Sequence, residues 1–325
     1  MEKELKILIV RFSSIGDIVL TTPVIRCLKQ HFKDKVRLDY LTKKPFETVL
    51  AENPYLHKIY TIQNHVDEVV ETLKKQSYDV IIDLHKNIRS KSVIKKLGVK
   101  AYSFNKLNKE KFLLTTFKIN KLPNIHIVDR YLESVQPLGV TKDNKGLDFF
   151  IHPENEMDLN ADYPFLKDGF IVYAIGGQHA TKRLPNDKII ELCNKTTKPI
   201  ILIGGKTDEE NARQIVKESS NQRVVNLCGK LNIQQSASVV KQAQLLITHD
   251  SGMMHIGAAL KQKIISIWGN TVPDFGMYPY QTDYKIIEVK GLKCRPCSKI
   301  GYERCPKKHF KCMRMIDVDA IVSAL

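Results

Sequence analysis

The sequence lacks any run of about 20 apolar residues, the length that a membrane-spanning helix requires, although 43% of its 325 residues are hydrophobic. Its first residues, Met1 to Lys6, mix acidic and basic side chains and precede only a short apolar run, so no signal peptide is predicted. The chain is long enough, and apolar enough, for two buried cores. We therefore expect a cytoplasmic globular protein of two domains.

Two common phosphate-binding motifs are also missing. No Gly-x-Gly-x-x-Gly follows the first predicted strand, and no Gly-x-x-x-x-Gly-Lys-Ser/Thr occurs anywhere in the chain. These absences remove the usual sequence signals for a dinucleotide-dependent enzyme and for a P-loop ATPase.

Acidic residues are the scarcer charged class: 35 Asp and Glu against 51 Lys and Arg give a formal net charge of +16. Such an excess suggests an anionic partner, either a phosphate-bearing substrate, a nucleic acid or a lipid surface. Residues 85–122 contain eleven of the basic side chains and one acid, Glu110. This segment is either a solvated face or a surface for an anionic acceptor or membrane. Nucleic acid is disfavoured, because no nucleic-acid-binding motif is present.

Short β-type runs alternate with helical patterns in both halves of the chain. Strands are predicted at residues 6–11, 36–41, 59–62, 80–84, 170–175, 199–203, 224–227, 245–248 and 264–268. Helices are predicted at residues 17–31, 45–51 and 66–75, from residues 185, 208 and 233, and after residue 251. This alternation predicts an α/β protein in which parallel sheets are covered by helices on both faces.

We predict two doubly wound, Rossmann-like domains, residues 1–155 and 156–325, with the last helix as a candidate to pack back on the first domain. Residues 152–164, rich in Asp, Glu, Asn and Pro, are predicted to form the linker. Ligands of such sheets bind outside the carboxyl ends of the strands, so we expect the chemistry in a central cleft between the domains.

The stretch from Thr248 to Leu260 resembles an anion cradle. It follows the apolar run Leu245–Ile247, and the small residues Ser251 and Gly252 open the predicted helix. The N–H groups at such a helix start can bind an anion directly, with Asp250 beside it to bind hydroxyl groups. The alternative is that Asp250 or Ser251 only caps the helix.

Two other loops combine glycine with charged side chains at predicted strand ends. Gly16 permits a tight turn before Asp17, whose carboxylate can act as a general base on a bound hydroxyl. Gly176 and Gly177 permit close backbone approach, and Lys182 offers a point charge for a phosphate. The alternatives are a helix N-cap for Asp17 and an exposed loop with incidental cations for Lys182.

A third loop leads into a predicted helix that begins with Glu209 and Glu210. An acid at this position can bind ribose hydroxyls in related sheets. Acidic residues in a first turn also stabilise the helix through its dipole, which is the simpler interpretation of either residue alone.

Five segments, taken together, resemble in order the motifs of the ADP-heptose:lipopolysaccharide heptosyltransferase family. They are residues 12–17, 83–90, 182–185, 250–255 and 268–271, and the resemblance extends from about residue 6 to the C-terminus. It implies a GT-B fold, with two Rossmann-like domains facing a central cleft. The C-terminal domain would bind the nucleotide-sugar, and the sugar would be transferred with inversion to an acceptor held by the N-terminal domain.

The resemblance also implies roles for single residues. Asp17 matches the proposed general base, Lys182 a residue that contacts the donor phosphates, and Asp250 a residue near the donor sugar. The predicted catalytic residues are Asp17 and Lys182. The predicted donor-binding residues are Gly177, Gln178, Lys182, Glu209, Asp250, Ser251, Gly252, Met253 and His255, and the predicted acceptor-binding residues are Ser14, Gly16 and Arg89. The acceptor would be an anionic glycolipid, the lipopolysaccharide inner core, reached by peripheral contact with the inner membrane surface.

Some positions differ from the commoner forms of the family. They are the loop around Gly177 and Gln178, the pair Met253-Met254, and Asn270. The donor is therefore either ADP-heptose or another nucleotide-sugar that is transferred to a glycolipid. A non-catalytic nucleotide- or glycolipid-binding protein is a further alternative, but such a protein has no need of a base in addition to a phosphate cradle.

Four of the seven cysteines, Cys294, Cys297, Cys305 and Cys312, have a spacing that is typical of zinc sites. The family resemblance includes a cysteine-rich tail of this kind without a catalytic metal, so we expect no required cofactor, with a structural zinc as the alternative. Cytoplasmic thiols are expected to stay reduced. The other three, Cys27, Cys193 and Cys228, are predicted core residues. Asp317 and Asp319 are predicted to cap the last helix rather than to bind a metal.

Overall fold

The computed structural model describes residues 3–325, which fall into two compact units. The first unit comprises residues up to 106 together with 125–150, and the second comprises 107–124 and 151–325. The principal boundary therefore lies five residues before the one predicted from the sequence. Residues 107–124 belong to the second unit although first-unit segments flank them on both sides.

The first unit is built on one parallel sheet. Its strand order is β3-β2-β1-β4-β5, formed by β1 Leu5–Val10, β2 Val36–Lys43, β3 Lys58–Ile62, β4 Val80–Asp83 and β5 Ala101–Ser103. The central strands β1 and β4 consist mostly of Ile, Leu and Val, and residues 7–10 and 80–83 are buried, as a sheet covered by helices on both sides requires.

The second unit contains a six-stranded parallel sheet. Its order is β11-β10-β9-β6-β7-β8, formed by β6 Ile171–Ala174, β7 Ile200–Ile203, β8 Val224–Asn226, β9 Leu245–His249, β10 Ile264–Trp268 and β11 Tyr284–Glu288. Counted within the unit, this is the Rossmann order 3-2-1-4-5-6, in which the switch point lies between β6 and β9. The predicted Rossmann-like α/β class is confirmed for both units.

Helices connect the strands of both sheets and also follow the last strand. They are α1 Ile15–Val19, α2 Thr22–Phe32, α3 Asp67–Lys74, α4 Ile88–Leu97, α5 Asn108–Phe117, α6 Ile127–Glu133, α7 Leu159–Asp162, α8 Asn186–Lys195, α9 Glu209–Glu218, α10 Ile233–Gln242, α11 Gly252–Ala259, α12 Lys311–Arg314 and α13 Val318–Val322. Local sequence sets their ends: in α4, for example, Asn87 Oδ1 accepts from the Ser90 N–H at 2.9 Å, and Gly98 ends the helix with a left-handed φ of +66°.

The segment predicted as a linker is anchored within the second unit. The His152 N–H donates to Gln234 Oε1 at 3.0 Å, and the Met157 N–H donates to Ser238 Oγ at 2.9 Å. Leu159 is buried. These contacts tie residues 152–159 to α10, so this stretch is not a free connection.

The last helix, α13, also packs within the second unit, where it contacts α8. Val318 and Ile321 join the core that covers one face of the second sheet, and this apolar burial accounts for its position in the second unit. Asp317 Oδ1 caps α13 by accepting from the Asp319 N–H at 3.0 Å, which confirms the predicted capping role.

Two other findings bear on the sequence predictions. Cys27, Cys193 and Cys228 are buried at 2% exposure or less, which confirms that they are core residues. Within residues 3–325, no helix has the length and apolar character needed to cross a membrane.

Candidate active site

At the switch point of the first sheet, the loops that follow β1 and β4 are neighbours, because Val10 pairs with Asp83 in the parallel register. The loop after β1 leads into α1 and places Asp17 in its first turn. The loop after β4 leads into α4, where Arg89 is the second residue. Asp17 and Arg89 therefore lie at the edge where such sheets bind ligands.

The carboxylate of Asp17 is held by contacts from its own loop. Arg11 Nη2 lies 2.7 Å from Asp17 Oδ1. The backbone N–H and the hydroxyl of Ser14 donate to Asp17 Oδ2 at 3.2 and 2.9 Å. Asp17 therefore stabilises the start of α1 as the N3 residue of a capping box, whereas the N-cap itself is Ser14 and not Asp17. It also keeps 23% of its side chain exposed, so the carboxylate side chain is not sealed inside the loop.

Arg11 orients Asp17 from a nearly buried position. Its guanidinium donates to the backbone carbonyls of Ser13 and Leu84, both at 2.7 Å, and to the Tyr131 hydroxyl at 3.0 Å. Burial is the largest single effect and lowers the pKa of Arg11, but the charge of Asp17, the tyrosines Tyr131 and Tyr40 and the hydrogen bond to Asp17 together outweigh it, so the pKa is raised above its ordinary value. The guanidinium is therefore a permanent cation whose fixed donors set the direction of the Asp17 carboxylate.

Arg89 extends towards the same loop. Its guanidinium carbon lies 5.5 Å from the centroid of the Phe12 ring, and the His85 ring contacts Phe12 edge-on with 5.4 Å between centroids. Burial and the nearby charge of Arg11 lower the pKa of His85 to about 3, so its imidazole is neutral at pH 7. This edge of the first sheet therefore presents a carboxylate beside cationic side chains.

In the second unit, Lys182, Asp250 and Thr271 come together from the ends of three neighbouring strands, β6, β9 and β10. Lys182 Nζ lies 2.6 Å from Asp250 Oδ2, and Thr271 Oγ1 donates to the same oxygen at 2.8 Å. The side chains of Lys182 and Asp250 are 15% and 11% exposed. The switch point of the second sheet thus holds a largely desolvated pair of ammonium and carboxylate.

The loop that carries Lys182 is fixed by its neighbours. Gly269, after β10, approaches it so closely that a Cβ there would lie 2.6 Å from the Thr181 carbonyl oxygen. Thr181 in turn donates its N–H to the Tyr302 carbonyl at 3.1 Å. Arg295 donates to the Gly269 carbonyl at 2.6 Å. Tyr302 and Arg295, which belong to the cysteine-rich segment at residues 294–312, therefore hold in place the loop on which Lys182 lies.

The predicted anion cradle forms the start of α11. Ser251 is the N-cap, and Gly252 and Met253 are the first two residues of the helix. All three are half-buried and follow Asp250 directly. The first N–H groups of a helix have no acceptor within it and lie at the positive end of its dipole. His255, the fourth helical residue, is only 3% exposed.

The loop between β6 and Lys182 contains the two predicted donor-binding residues Gly177 and Gln178, the second of which is exposed. Just before them, Gly176 packs on Asp208, whose Oδ2 would lie 2.6 Å from a Cβ at position 176. Arg183 Nη1 lies 3.3 Å from Asp208 Oδ1. These contacts join the loop after β6 to the loop after β7.

Glu209 begins α9 immediately after Asp208. It pairs with Arg213 Nη2 at 3.0 Å, one turn along the helix, and Glu210 pairs with Nη1 of the same side chain at 2.9 Å. Both acids therefore support the first turn of α9, as their interpretation as helix-stabilising residues predicts. The ribose-binding role of Glu209 stays a prediction.

His249, the last residue of β9, positions the loop after Lys182. Its Nε2 accepts the Leu184 N–H at 3.0 Å and lies 3.2 Å from the Tyr173 hydroxyl oxygen. Because the Leu184 N–H can only donate, Nε2 is unprotonated, and the ring proton is on Nδ1, which lies 3.5 Å from the Gly176 carbonyl oxygen. Burial lowers the pKa of His249 to about 4 and keeps this neutral form.

The cysteine-rich segment contains free thiols. Cys294 Sγ lies 3.9 Å from His309 Nε2, and burial raises the pKa of Cys312 to about 12. Among residues 3–325, no group of three or more His, Cys, Asp or Glu side chains is arranged to hold a metal ion. A structural zinc in this segment stays a prediction.

Sequence reasoning gave no role to three residues that position the site: Arg11, His249 and Thr271. Arg11 directly follows β1, His249 ends β9, and Thr271 lies three residues after β10. The signal that could have found them is a polar residue at the carboxyl end of an apolar run, which in a parallel sheet lies at the ligand-binding edge.

A family model described as glycosyltransferase family 9 (heptosyltransferase) matches residues 66–308. Lipopolysaccharide heptosyltransferase 3 of Escherichia coli (strain K12) is 26% identical over 282 residues, which is 79% of this chain and 80% of that protein. Lipooligosaccharide heptosyltransferase 2 of Campylobacter jejuni is 26% identical over 319 residues, covering 95% of this chain and 93% of the relative.

Solved structures share the architecture. The glycosyl transferase family 9 protein from Veillonella parvula superposes with a TM-score of 0.79 at 21% identity, over 100% of this chain and 97% of that protein. At 21% identity, this structural similarity is evidence for the fold alone. The GT-B class, with two parallel-sheet α/β units, is thereby confirmed.

Proposed function

Because the chain belongs to glycosyltransferase family 9, the heptosyltransferases, we propose that it transfers heptose from ADP-heptose to the lipopolysaccharide inner core, with inversion at the anomeric carbon. The observation that carries the proposal is the convergence of Lys182 and Thr271 on Asp250 at the start of α11. A cation and helix-opening N–H groups suit a diphosphate, and an adjacent carboxylate suits the hydroxyls of the attached sugar.

The second unit binds the donor in this proposal. Lys182 gives up its ion pair with Asp250 and binds the diphosphate. The diphosphate also accepts hydrogen bonds from the N–H groups of Ser251, Gly252 and Met253. As the bond between the sugar and ADP breaks, negative charge grows on the departing ADP, and these groups stabilise it. Asp250, still held by Thr271, binds the sugar hydroxyls. The other donor-binding residues are Gly177, Gln178, Glu209 and His255.

The first unit binds the acceptor. Asp17 accepts the proton of the acceptor hydroxyl, and the oxygen of that hydroxyl bonds to the anomeric carbon. The bond between the anomeric carbon and ADP breaks, and its electron pair leaves with ADP. Attack on the face opposite to ADP inverts the configuration. Ser14 and Gly16 form the turn beside the base, and Arg89 binds an anionic group of the acceptor.

Partners and cofactors follow from this chemistry. The acceptor is an anionic glycolipid, so the protein works in the cytoplasm in peripheral contact with the inner membrane surface, and nucleic acid is not a partner. Lys182 and the helix N–H groups neutralise the leaving group, so no metal ion is required for transfer.

The first test replaces the base, Asp17→Asn. Loss of general-base catalysis should lower kcat roughly 100-fold or more, while the dissociation constant for ADP changes less than twofold because the second unit is intact. Asp67→Asn is the matched control: Asp67 is also in the first turn of a helix and pairs with a lysine, Lys96. Its kinetics should equal the wild type. Full activity of Asp17→Asn, or joint loss of activity and ADP binding, would assign Asp17 a structural role only.

The second test identifies the donor. Thermal unfolding is measured with ADP, UDP, GDP, CMP and their sugar conjugates, since a ligand that binds the native state raises the unfolding temperature. Selective stabilisation by ADP and ADP-heptose supports the proposal. A preference for UDP or GDP replaces the donor but keeps the mechanism, and stabilisation by none of them contradicts a nucleotide-sugar transferase.

A further inference from the structure

Residues 107–124, which carry α5, present a surface that the proposed chemistry does not use. Phe112, Phe117 and Ile119 are 51%, 59% and 48% exposed. The two phenyl rings contact each other edge-on, with 5.9 Å between their centroids. Single exposed apolar residues are ordinary, but adjacent aromatic rings on one short helix form a patch, and exposed patches of this kind mark interaction surfaces.

The opposite side of this segment is firmly attached to the second unit. Leu107 and Leu114 are buried at 8% and 7% exposure. Lys118 Nζ donates to the Pro296 carbonyl at 2.6 Å, and Asn120 Nδ2 donates to Asp274 Oδ1 at 2.6 Å. The exposed rings are therefore carried by an anchored helix and not by a loose loop.

Positive charge lies close to the rings in sequence. Residues 107–124 contain four lysines and one acid, Glu110. Lys109 and Lys121 are exposed and Lys111 is half-buried, whereas Lys118 bonds to the Pro296 carbonyl. Aromatic side chains flanked by lysines complement a bilayer of anionic lipids, because the rings enter the interface while the ammonium groups contact the headgroups. A second copy of this chain is a poor complement, since its own formal charge is +16.

We propose that the α5 surface, formed by Phe112, Phe117 and Ile119 with the exposed lysines Lys109 and Lys121, binds the surface of an anionic phospholipid membrane. The inference deepens the proposed function, on which it rests for the expectation that the acceptor is a membrane glycolipid. Binding to lipid does not depend on sugar transfer, so the two can be tested separately. In this arrangement the segment anchors the second unit to the bilayer that contains the acceptor.

The test is cosedimentation with vesicles of phosphatidylcholine, with and without about one-third phosphatidylglycerol. The double variant Phe112→Ser/Phe117→Ser should bind the anionic vesicles roughly tenfold more weakly than the wild type, because the apolar insertion is lost. Phe165→Ser is the matched control: Phe165 is 43% exposed and also contacts an aromatic ring, Tyr163, edge-on. It should bind as the wild type does.

A second pair of variants tests the charge. Lys109→Gln/Lys121→Gln should bind anionic vesicles several-fold more weakly and lose part of the salt dependence, since each lysine near an anionic surface adds to the attraction. Lys217→Gln/Lys230→Gln removes two exposed lysines elsewhere in the second unit and should change vesicle binding less.

The outcomes separate this inference from the proposed function. Weaker vesicle binding by Phe112→Ser/Phe117→Ser, with full transfer to a water-soluble core oligosaccharide, supports it. Equal vesicle binding by this variant and by Phe165→Ser overturns the membrane inference. The inference is also overturned if the wild type is a dimer in vesicle-free solution and Phe112→Ser/Phe117→Ser is a monomer. Wild-type vesicle binding that depends on these residues, without any sugar transfer, would overturn the proposed function and leave the membrane surface in place.

Discussion

In the proposed function, the incoming donor replaces the ion pair between Lys182 and Asp250. Both side chains are largely buried, so the pair is only weakly screened by salt. A diphosphate offers the ammonium two anionic groups in exchange for one carboxylate, and Asp250 keeps its hydrogen bond from Thr271.

Replacing Lys182 with Met should weaken ADP binding by about tenfold or more, which corresponds to about 1.4 kcal/mol, because the diphosphate loses its cation. Isothermal titration calorimetry measures the change. Lys188→Met is the control, since Lys188 lies near the start of α8 and pairs with Glu191. An unchanged ADP affinity in Lys182→Met would remove Lys182 from the phosphate site.

The variant Thr271→Val tests the orientation of Asp250. It removes the hydroxyl that donates to Asp250 Oδ2 at 2.8 Å while keeping the shape of the side chain. A hydrogen bond to a charged group contributes about 1.5–3 kcal/mol, so kcat/KM for the nucleotide-sugar should fall roughly tenfold or more. The affinity for ADP alone should change little, because Asp250 binds the sugar. Thr282→Val, which removes a hydrogen bond to the Gln262 carbonyl, should leave both values unchanged.

Sequence reasoning identified Asp17, Lys182 and Asp250 because each lies in a polar loop that follows an apolar run. The residues that hold them depend on the strand order, which the sequence does not display. Thr271 contacts Asp250 across 21 positions, and Arg295 contacts Gly269 across 26. The site residues stay predictions until the variants above are measured.

At the scale of elements, strand positions were predicted more closely than helix ends. The strand predicted at residues 264–268 matches β10, Ile264–Trp268, in full. The helix predicted at 17–31 is divided into α1 and α2 because the hydroxyls of Thr21 and Thr22 donate to the carbonyls of Ile18 and Val19. Pro23, which has no N–H, is the second residue of the next helix.

Two strands were not predicted. β5 has three residues, and β11 begins with Tyr284 and Lys285, which are exposed. Both lie at the edge of a sheet, so neither needs the continuous apolar run that marks the central strands. The helix predicted at 45–51 is a 3-10 helix at Lys44–Val49.

The neutral His249 at the end of β9 predicts a loss of stability in acid. Its pKa is lowered by burial from 6.5 to about 4, so between these pH values the unfolded chain binds a proton that the folded protein does not. The free energy of unfolding should therefore fall as the pH is lowered through this window, by at most about 1.4 kcal/mol per pH unit from this residue.

Urea unfolding at pH 7 and pH 5 measures this effect. The variant His249→Asn should be less stable than the wild type at pH 7, because the Leu184 N–H loses its acceptor, but it should lose less stability between the two pH values. His31→Asn, at an exposed position, should retain the wild-type pH dependence. An equal loss in all three proteins would exclude His249 as the cause.

At the scale of the whole molecule, the two-domain α/β architecture could be predicted because alternating strands and helices occur in both halves. The membership of residues 107–124 in the second unit could not. The contacts of this segment are made with residues such as Pro296 and Asp274, more than 150 positions later. Its local pattern gives no indication of them.

Metal removal should leave the whole protein intact. After dialysis against EDTA, we expect unchanged activity and an unchanged unfolding temperature, because Lys182 and the start of α11 supply the charge that the leaving group needs. Elemental analysis should find less than one zinc per chain. Stoichiometric zinc whose removal lowers the unfolding temperature would instead place a structural metal at Cys294, Cys297, Cys305 and Cys312.

The division of the chain into two units also determines the order in which α5 and the unit on which it packs are made during translation. Lys118 and its acceptor Pro296 are separated by 178 positions, which a ribosome adding about 5–20 residues per second covers in roughly 10–35 s. During that interval all five strands of the first sheet have been synthesised, whereas α5 has emerged without the unit on which it packs. The nascent chain therefore carries Leu107 and Leu114, which are buried in the folded protein, uncovered through much of its synthesis, and in that period α5 can meet a membrane or a chaperone on both of its sides before the second unit exists.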